Sequence, residues 1–86
     1  MIKKTIEIKN PAGLHTRPGT KFVRLAKTFP CEVTVVKEGK TANAKSLVKL
    51  LKIGISQGDV IELTTEGEDE ERAAEELESF ILNLEE

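Results

Sequence analysis

Residues 10–18 read NPAGLHTRP, and this stretch decides where the first strand ends and the first helix begins. Pro and Gly interrupt regular structure, so the segment from Asn10 to Gly13 predicts a loop. Pro18 suits the first turn of a helix, where its missing N–H costs no hydrogen bond. His15, the only histidine of the chain, therefore falls at the start of a predicted helix.

The position of His15 favours chemistry with anions. The first backbone N–H groups of a helix have no internal partner, and the helix macrodipole makes that end positive. Histidine titrates near neutral pH, and Arg17 follows two positions later. A nucleophile, a cation and helix-start amides in one place suit a phosphoryl group. Spacing alone leaves open the alternative of a loop histidine before an ordinary helix.

Four strands are predicted, the first, second and fourth from the alternation of apolar and polar residues and the third from the turn signal that precedes it. The predicted strands cover residues 2–8, the surroundings of Val33 and Val35, residues 41–44, and the run through Ile61, Leu63 and Thr65. Turn signals precede the third strand, at Glu38-Gly39, and the fourth strand, at Gly58-Asp59.

Three helices are predicted from apolar residues at helical spacing. The first begins at Thr16 and is stopped by Pro30, and its apolar face comprises Pro18, Phe22, Leu25, Ala26 and Phe29. The second is short, with Ser46 as N-cap and Gly54 ending it in the left-handed conformation. The third is capped by Glu68 or Asp69, and its buried stripe comprises Ala73, Leu77, Phe80, Ile81 and Leu84.

The element order β-α-β-β-α-β-α, with one apolar face per element, predicts an α+β fold of two layers. Helices would cover one face of a mainly antiparallel sheet, although periodicity does not fix the strand order. A chain of 86 residues has room for one modest core, so we expect a single domain over residues 1–86.

Composition narrows the function classes. No apolar run is long enough to span a bilayer and no signal peptide is evident, so we expect a cytoplasmic protein without membrane insertion. Cys31 is the only cysteine, and we interpret it as inert. The net charge is −9 over residues 66–86 and +7 over residues 1–65, which favours an acidic or phosphorylated partner. Three phenylalanines are the only aromatic residues, so nucleic acid is disfavoured as a partner.

The whole chain resembles HPr, the family of histidine-containing phosphocarriers of the bacterial phosphoenolpyruvate-dependent sugar phosphotransferase system. The resemblance rests on Gly13-Leu14-His15-Thr16-Arg17-Pro18, on Lys45-Ser46-Leu47 and the Gly54 turn, and on length and element order. It implies an open-faced β-sandwich, with a four-stranded antiparallel sheet ordered 1-4-2-3 and three helices on one face.

The resemblance also implies a phosphoryl relay without a cofactor or metal. His15 would accept the phosphoryl group from phosphorylated enzyme I and pass it to sugar-specific IIA domains. Arg17 would act with His15 in the transfer, and Thr16 and Arg17 would bind the phosphate. In the family the phosphate sits on Nδ1, which the sequence itself does not show. We expect a monomer.

Ser46 has two interpretations, because an N-cap and a regulatory phosphosite are compatible at one helix start. In low-GC Gram-positive members of the family, a serine kinase/phosphorylase modifies the matching serine, which slows the relay and allows binding of a transcriptional regulator. Four apolar residues on the short second helix exceed what one buried face needs, which indicates an exposed patch. The residues expected to dock partners are Thr20, Arg24, Lys27, Leu47, Val48, Lys49 and Leu51.

Two residues depart from the usual family pattern. Gly19 stands where the family usually has Ala, which predicts a looser first helix, and Val48 replaces the usual Met or Phe.

Other function classes would use other parts of the chain. A regulatory binding module would use Ser46 and would not need His15. A basic RNA-binding domain would use the +7 region, and an enzyme for a free small molecule would need a second acid–base group.

Overall fold

The computed structural model describes residues 1–85, and its elements follow the predicted order. The strands are β1 (Ile2–Glu7), β2 (Glu32–Lys37), β3 (Lys40–Asn43) and β4 (Val60–Glu66). The helices are α1 (Thr16–Lys27), α2 (Leu47–Ile53) and α3 (Glu70–Leu82). Among residues 1–85, no helix combines the length and apolar character that a membrane span requires.

The four strands form one antiparallel sheet in the order β1-β4-β2-β3, as the family resemblance implied. The register places buried residues opposite one another: Ile6 faces Ile61, and Val35 faces Leu63 on one side and Ala42 on the other. These apolar side chains alternate with polar ones, so only one face of the sheet is apolar. The α+β, open-faced prediction is confirmed.

The helices cover the apolar face and close the core. Helix α3 packs on β1 and β4, α2 packs on β3, and α1 packs against both other helices. Phe22 of α1, Leu50 of α2 and Leu77 of α3 are completely buried. The other face of the sheet carries polar residues such as Lys3 and Glu62, whose charged groups are 3.9 Å apart. The hydrophobic core thus fixes the orientation of α1 and, with it, the position of the loop before α1.

Two helix ends differ from the prediction. Helix α1 ends at Lys27, three residues before Pro30, and Phe29 is buried outside the helix. Asp69 occupies the N-cap position of α3, but its backbone is left-handed (φ 63°) and its side chain accepts no helix N–H. An N-cap normally has an extended backbone that directs its side chain at the first turn, and Asp69 lacks that geometry.

The α3 stripe also differs in detail. Ala73, Leu77 and Ile81 are buried as predicted, while Phe80 is only partly buried. Leu84 lies beyond the end of the helix, although it still packs against the core.

Candidate functional site

His15 is the N-cap residue of α1, and its side chain is exposed. Its backbone is extended (φ −74°, ψ −163°), and its carbonyl accepts the first helical hydrogen bond, from Gly19 N–H at 2.7 Å. The imidazole makes no capping bond to the helix, unlike a typical Ser or Asp cap. The ring is therefore not committed to the helix backbone, and it lies at the positive end of the helix.

The loop before His15 is held by Asn10, a buried polar residue that is only 5% exposed. Its side-chain Nδ2 donates to Gly13 O at 2.8 Å, and Gly13 N–H donates to Asn10 O at 3.2 Å. Gly13 has φ +57°, and a Cβ there would lie 2.4 Å from Ile55 O. Only glycine allows this close approach, which presses the loop against residues 55–56.

This approach brings Ser56 to the histidine. Oγ of Ser56 lies 3.0 Å from Nε2 of His15, within hydrogen-bond distance, although the residues are 41 positions apart in the chain. Sequence reasoning missed Ser56, because no periodic pattern connects the two loops. The turn signal Gly58-Asp59 marked the loop as ordered, but it did not indicate what the loop contacts.

Asp59 fixes the loop that carries Ser56. Its Oδ2 accepts Ser56 N–H at 2.8 Å and contacts Lys37 Nζ at 2.7 Å, and Asp59 N–H donates to Ser56 O at 3.1 Å. Lys37 Nζ also donates to Gly54 O at 2.8 Å. The bond to Lys37, and next the bond from Ser56 N–H, lower the pKa of the Asp59 carboxyl below its ordinary value.

The predicted phosphate ligands Thr16 and Arg17 occupy the first turn of α1, directly after His15, and both are exposed. Thr20 Oγ1 donates to Thr16 O at 2.6 Å, and this hydrogen bond stabilises the first turn of α1. The first turn of α1, all of which the structure describes, contains no acidic residue. An anion at His15 would thus meet no like charge from this helix.

Helix α2 begins beside α1. A methyl built at Gly19 would lie 3.6 Å from Cδ1 of Leu47, which shows how closely the two helices approach near the histidine. It would also lie 2.8 Å from Leu14 O, so the glycine permits a tight helix start. Ser46 is the N-cap of α2, as predicted, and its Oγ accepts Lys49 N–H at a long 3.4 Å.

The predicted apolar patch on α2 is partly exposed. Val48 is 66% exposed, Leu47 and Leu51 are half-buried, and Leu50 belongs to the core. The helix ends at Gly54 in the left-handed conformation (φ 72°), as predicted. The apolar surface of Leu47, Val48 and Leu51 is called the α2 patch below.

The predicted docking cations do not all lie near His15. Lys49 is exposed on α2, beside the α2 patch. Arg24 and Lys27 are exposed in the last turn of α1, about 14 and 18 Å along the helix axis from His15. At that position they can attract a partner electrostatically, whereas Arg17 lies in the first turn of α1, directly after His15. Within residues 1–85 no group of three or more His, Cys, Asp or Glu side chains is arranged to hold a metal ion.

The chain is similar to known proteins over almost its whole length. A family model described as "PTS HPr component phosphorylation site" matches residues 2–83. The phosphocarrier protein HPr of Haemophilus influenzae is 46% identical over 85 residues, which span 99% of this chain and 100% of that protein. HPr of Buchnera aphidicola (subspecies Acyrthosiphon pisum) is 45% identical over 85 residues, with the same coverage.

A solved structure supports the same assignment. The crystal structure of HPr-C-His from Thermoanaerobacter tengcongensis is 45% identical and superposes with a TM-score of 0.93, covering 95% of this chain and 92% of that one. The family model, the full-length relatives and the shared strand order agree, and the chain therefore belongs to the HPr family of phosphocarrier proteins of the phosphotransferase system.

Proposed function

We propose that this protein, as a single domain over residues 1–86, accepts a phosphoryl group on His15 from phosphorylated enzyme I and passes it to sugar-specific IIA domains. The observation that carries the proposal is the placement of His15, an exposed histidine at the N-cap of α1 whose ring does not cap the helix. The helix end attracts the anion, and the imidazole, which makes no capping bond to the helix, provides the nucleophile.

The transfer needs little covalent assistance from the protein. A lone pair of the neutral His15 imidazole attacks the phosphorus of the donor phosphohistidine. A new N–P bond forms as the donor N–P bond breaks, and that electron pair returns to the donor imidazole. Positioning and charge stabilisation then supply most of the catalysis, as in other phosphoryl transfers.

Charge stabilisation comes from the first turn of α1. Backbone N–H groups at this end point toward an anion bound at His15, and the Arg17 guanidinium balances the negative charge of the phosphoryl oxygens. Thr16 lies in the same turn. These contacts must remain moderate in strength, because the group has to leave for the next acceptor.

The proposal is tested by incubating the protein with phosphoenolpyruvate and purified enzyme I. Mass spectrometry should show one added phosphate, which is lost in mild acid and survives in base, as a phosphoramidate does. His15→Ala should remain folded and take up no phosphate. Ser46→Ala is the matched control and should be phosphorylated as the wild type is. Phosphate uptake by His15→Ala would disprove the assignment.

We further propose that Ser46 is a regulatory phosphosite, modified by a serine kinase/phosphorylase, and that a transcriptional regulator binds the modified protein. Ser46 lies beside the α2 patch, which with Thr20, Arg24, Lys27 and Lys49 is the proposed docking surface for enzyme I and IIA domains. Added negative charge there opposes acidic partners.

Ser46→Asp tests this effect without a kinase. Asp is as good an N-cap as Ser, so the melting temperature should change little. Transfer from enzyme I should slow, and rates equal to those of Ser46→Ala would remove Ser46 from the regulation of this protein. The protein is proposed to act as a monomer, which sedimentation analysis of the same samples measures.

A further inference from the structure

We propose that Ser56 is a positioning residue that fixes the proton of His15 on Nε2, so that Nδ1 presents its lone pair to the phosphoryl donor. This inference rests on the proposed function of His15. The observation behind it is the 3.0 Å distance between Ser56 Oγ and His15 Nε2, which places this ring nitrogen within hydrogen-bond distance of a side chain among residues 1–85.

The contact leaves the two ring nitrogens in different surroundings. A neutral imidazole carries a proton on one nitrogen and a lone pair on the other. Nδ1 is the nitrogen nearer the backbone, and the backbone of His15 is the N-cap of α1. The positive helix end disfavours an N–H at Nδ1 and favours a lone pair there. The proton therefore belongs on Nε2, from which it is donated to Ser56 Oγ.

The same bond suits the product of the transfer. When the N–P bond forms at Nδ1, the Nε2 proton stays on the ring, which becomes cationic. The donor ring loses its phosphoryl group and becomes neutral, so charge is conserved between the two histidines. Ser56 Oγ remains an acceptor for Nε2–H before and after transfer, and no hydroxyl rotation is needed during the reaction.

Ser56 can do this only if its loop is rigid, and the loop is anchored on three sides. Asp59 and Ser56 exchange two hydrogen bonds, of 2.8 and 3.1 Å. Lys37 of β2 binds both Asp59 and Gly54 O, which ties the loop to the sheet. Leu14 N–H donates to Ile55 O at 3.1 Å, so the loop is also joined directly to the segment before His15.

The test compares Ser56→Ala with Ser56→Thr, which keeps the hydroxyl. Long-range ¹H–¹⁵N spectra of the unphosphorylated proteins distinguish a protonated ring nitrogen from one with a lone pair. In the wild type and Ser56→Thr, neutral His15 should be almost entirely the Nε2–H form. Ser56→Ala should contain more of the Nδ1–H form, and it should accept phosphate from enzyme I about three- to tenfold more slowly. Thermal melts should be alike, because Ser56 is exposed.

The outcomes separate this inference from the proposed function. If the wild type takes up no phosphate, the proposed function fails, while the spectra still test the role of Ser56. If the wild type is phosphorylated and Ser56→Ala has the same ratio of ring forms and the same rate, the positioning role is disproved. A slower Ser56→Ala with an unchanged ratio would also overturn it, because the hydroxyl would then act on partner binding.

Discussion

Asp59 shows how one residue outside the helix start bears on the histidine. Its carboxylate holds Lys37 at 2.7 Å and Ser56 N–H at 2.8 Å, and Ser56 in turn contacts His15. The side chains of Lys37 and Asp59 are mostly removed from solvent, being 16% and 26% exposed. Screening by water is therefore weaker here than at the exposed pair Lys3 and Glu62.

The lowered pKa of Asp59 predicts a specific pH dependence. A carboxyl with a depressed folded-state pKa adds stability that is fully present above its unfolded pKa of about 4, and that is lost as the pH falls through the folded-state pKa. Asp59→Asn should thus lower the melting temperature at neutral pH. Its difference from the wild type should shrink as the pH falls below about 4.

A matched control is Glu38→Gln, which removes one charge from an exposed turn. Its melting temperature should stay close to that of the wild type throughout the titration. A difference between Asp59→Asn and the wild type that persists unchanged at low pH would show that the ion pair with Lys37 is not its cause.

At the scale of elements, the loop before α1 depends on Gly13. Both Gly13 and Gly39 have positive φ, of 57° and 79°, so side chains are strained at either position. Their surroundings differ, because a Cβ at Gly13 would lie 2.4 Å from Ile55 O, whereas a Cβ at Gly39 would meet nothing within 4 Å. Alanine substitutions at the two positions therefore distinguish the effect of backbone strain from the effect of the contact between the two loops.

Gly39→Ala should cost only the left-handed strain, roughly 1–2 kcal/mol. Gly13→Ala should lower the free energy of unfolding by about 1–3 kcal/mol more than Gly39→Ala does, because the added methyl has to displace residues 55–56. Urea unfolding measures both free energies. Gly13→Ala should also slow phosphate uptake, since it moves Ser56, while Gly39→Ala should not. Equal losses of stability would contradict the close contact between the loops.

The sequence predicted the elements well because each of them has a regular apolar face. Alternation located β1, β2 and β4, and the turn signal at Glu38-Gly39 located β3. The N-cap Ser46 and the left-handed Gly54 were each predicted from a single residue. Asp69 is the N-cap residue of α3, as predicted, but its side chain makes no capping bond. The sequence did not reveal that its backbone is left-handed. Strand order came from the family resemblance, since periodicity is the same for any order of the strands.

The sequence placed only the residues of the candidate site that are neighbours in the chain. His15, Thr16 and Arg17 are adjacent in the chain, so a local motif was enough to place them together. Ser56 lies 41 positions after His15 in the chain, in the loop between α2 and β4. Its contact with His15 depends on how this loop packs against the loop before α1. Local patterns carry no information about such packing.

Across the whole molecule, charge is distributed unevenly. The net charge is +7 over residues 1–65, which include α1 and α2, and −9 over residues 66–86, which include α3. Opposite charges at the rim of an interface mainly raise the association rate, and salt screens them. Cations on α1 and α2 should therefore attract acidic partners, and Arg17 should in addition act on the phosphoryl group.

Charge reversals at different places test this division. Arg24→Glu and Lys49→Glu should each slow transfer from enzyme I about three- to tenfold at low ionic strength, through the association rate, and the defect should fade as salt is added. Arg17→Glu should slow transfer at every salt concentration, because it removes a contact to the transferring group. Lys3→Glu, on the polar face of the sheet, makes the same change in net charge away from the helices and should have little effect.

Two outcomes would contradict this division of roles. A defect in Lys3→Glu as large as that in Lys49→Glu would mean that net charge alone sets the rate. Identical salt profiles for Arg17→Glu and Arg24→Glu would show that Arg17 acts only in attracting the partner.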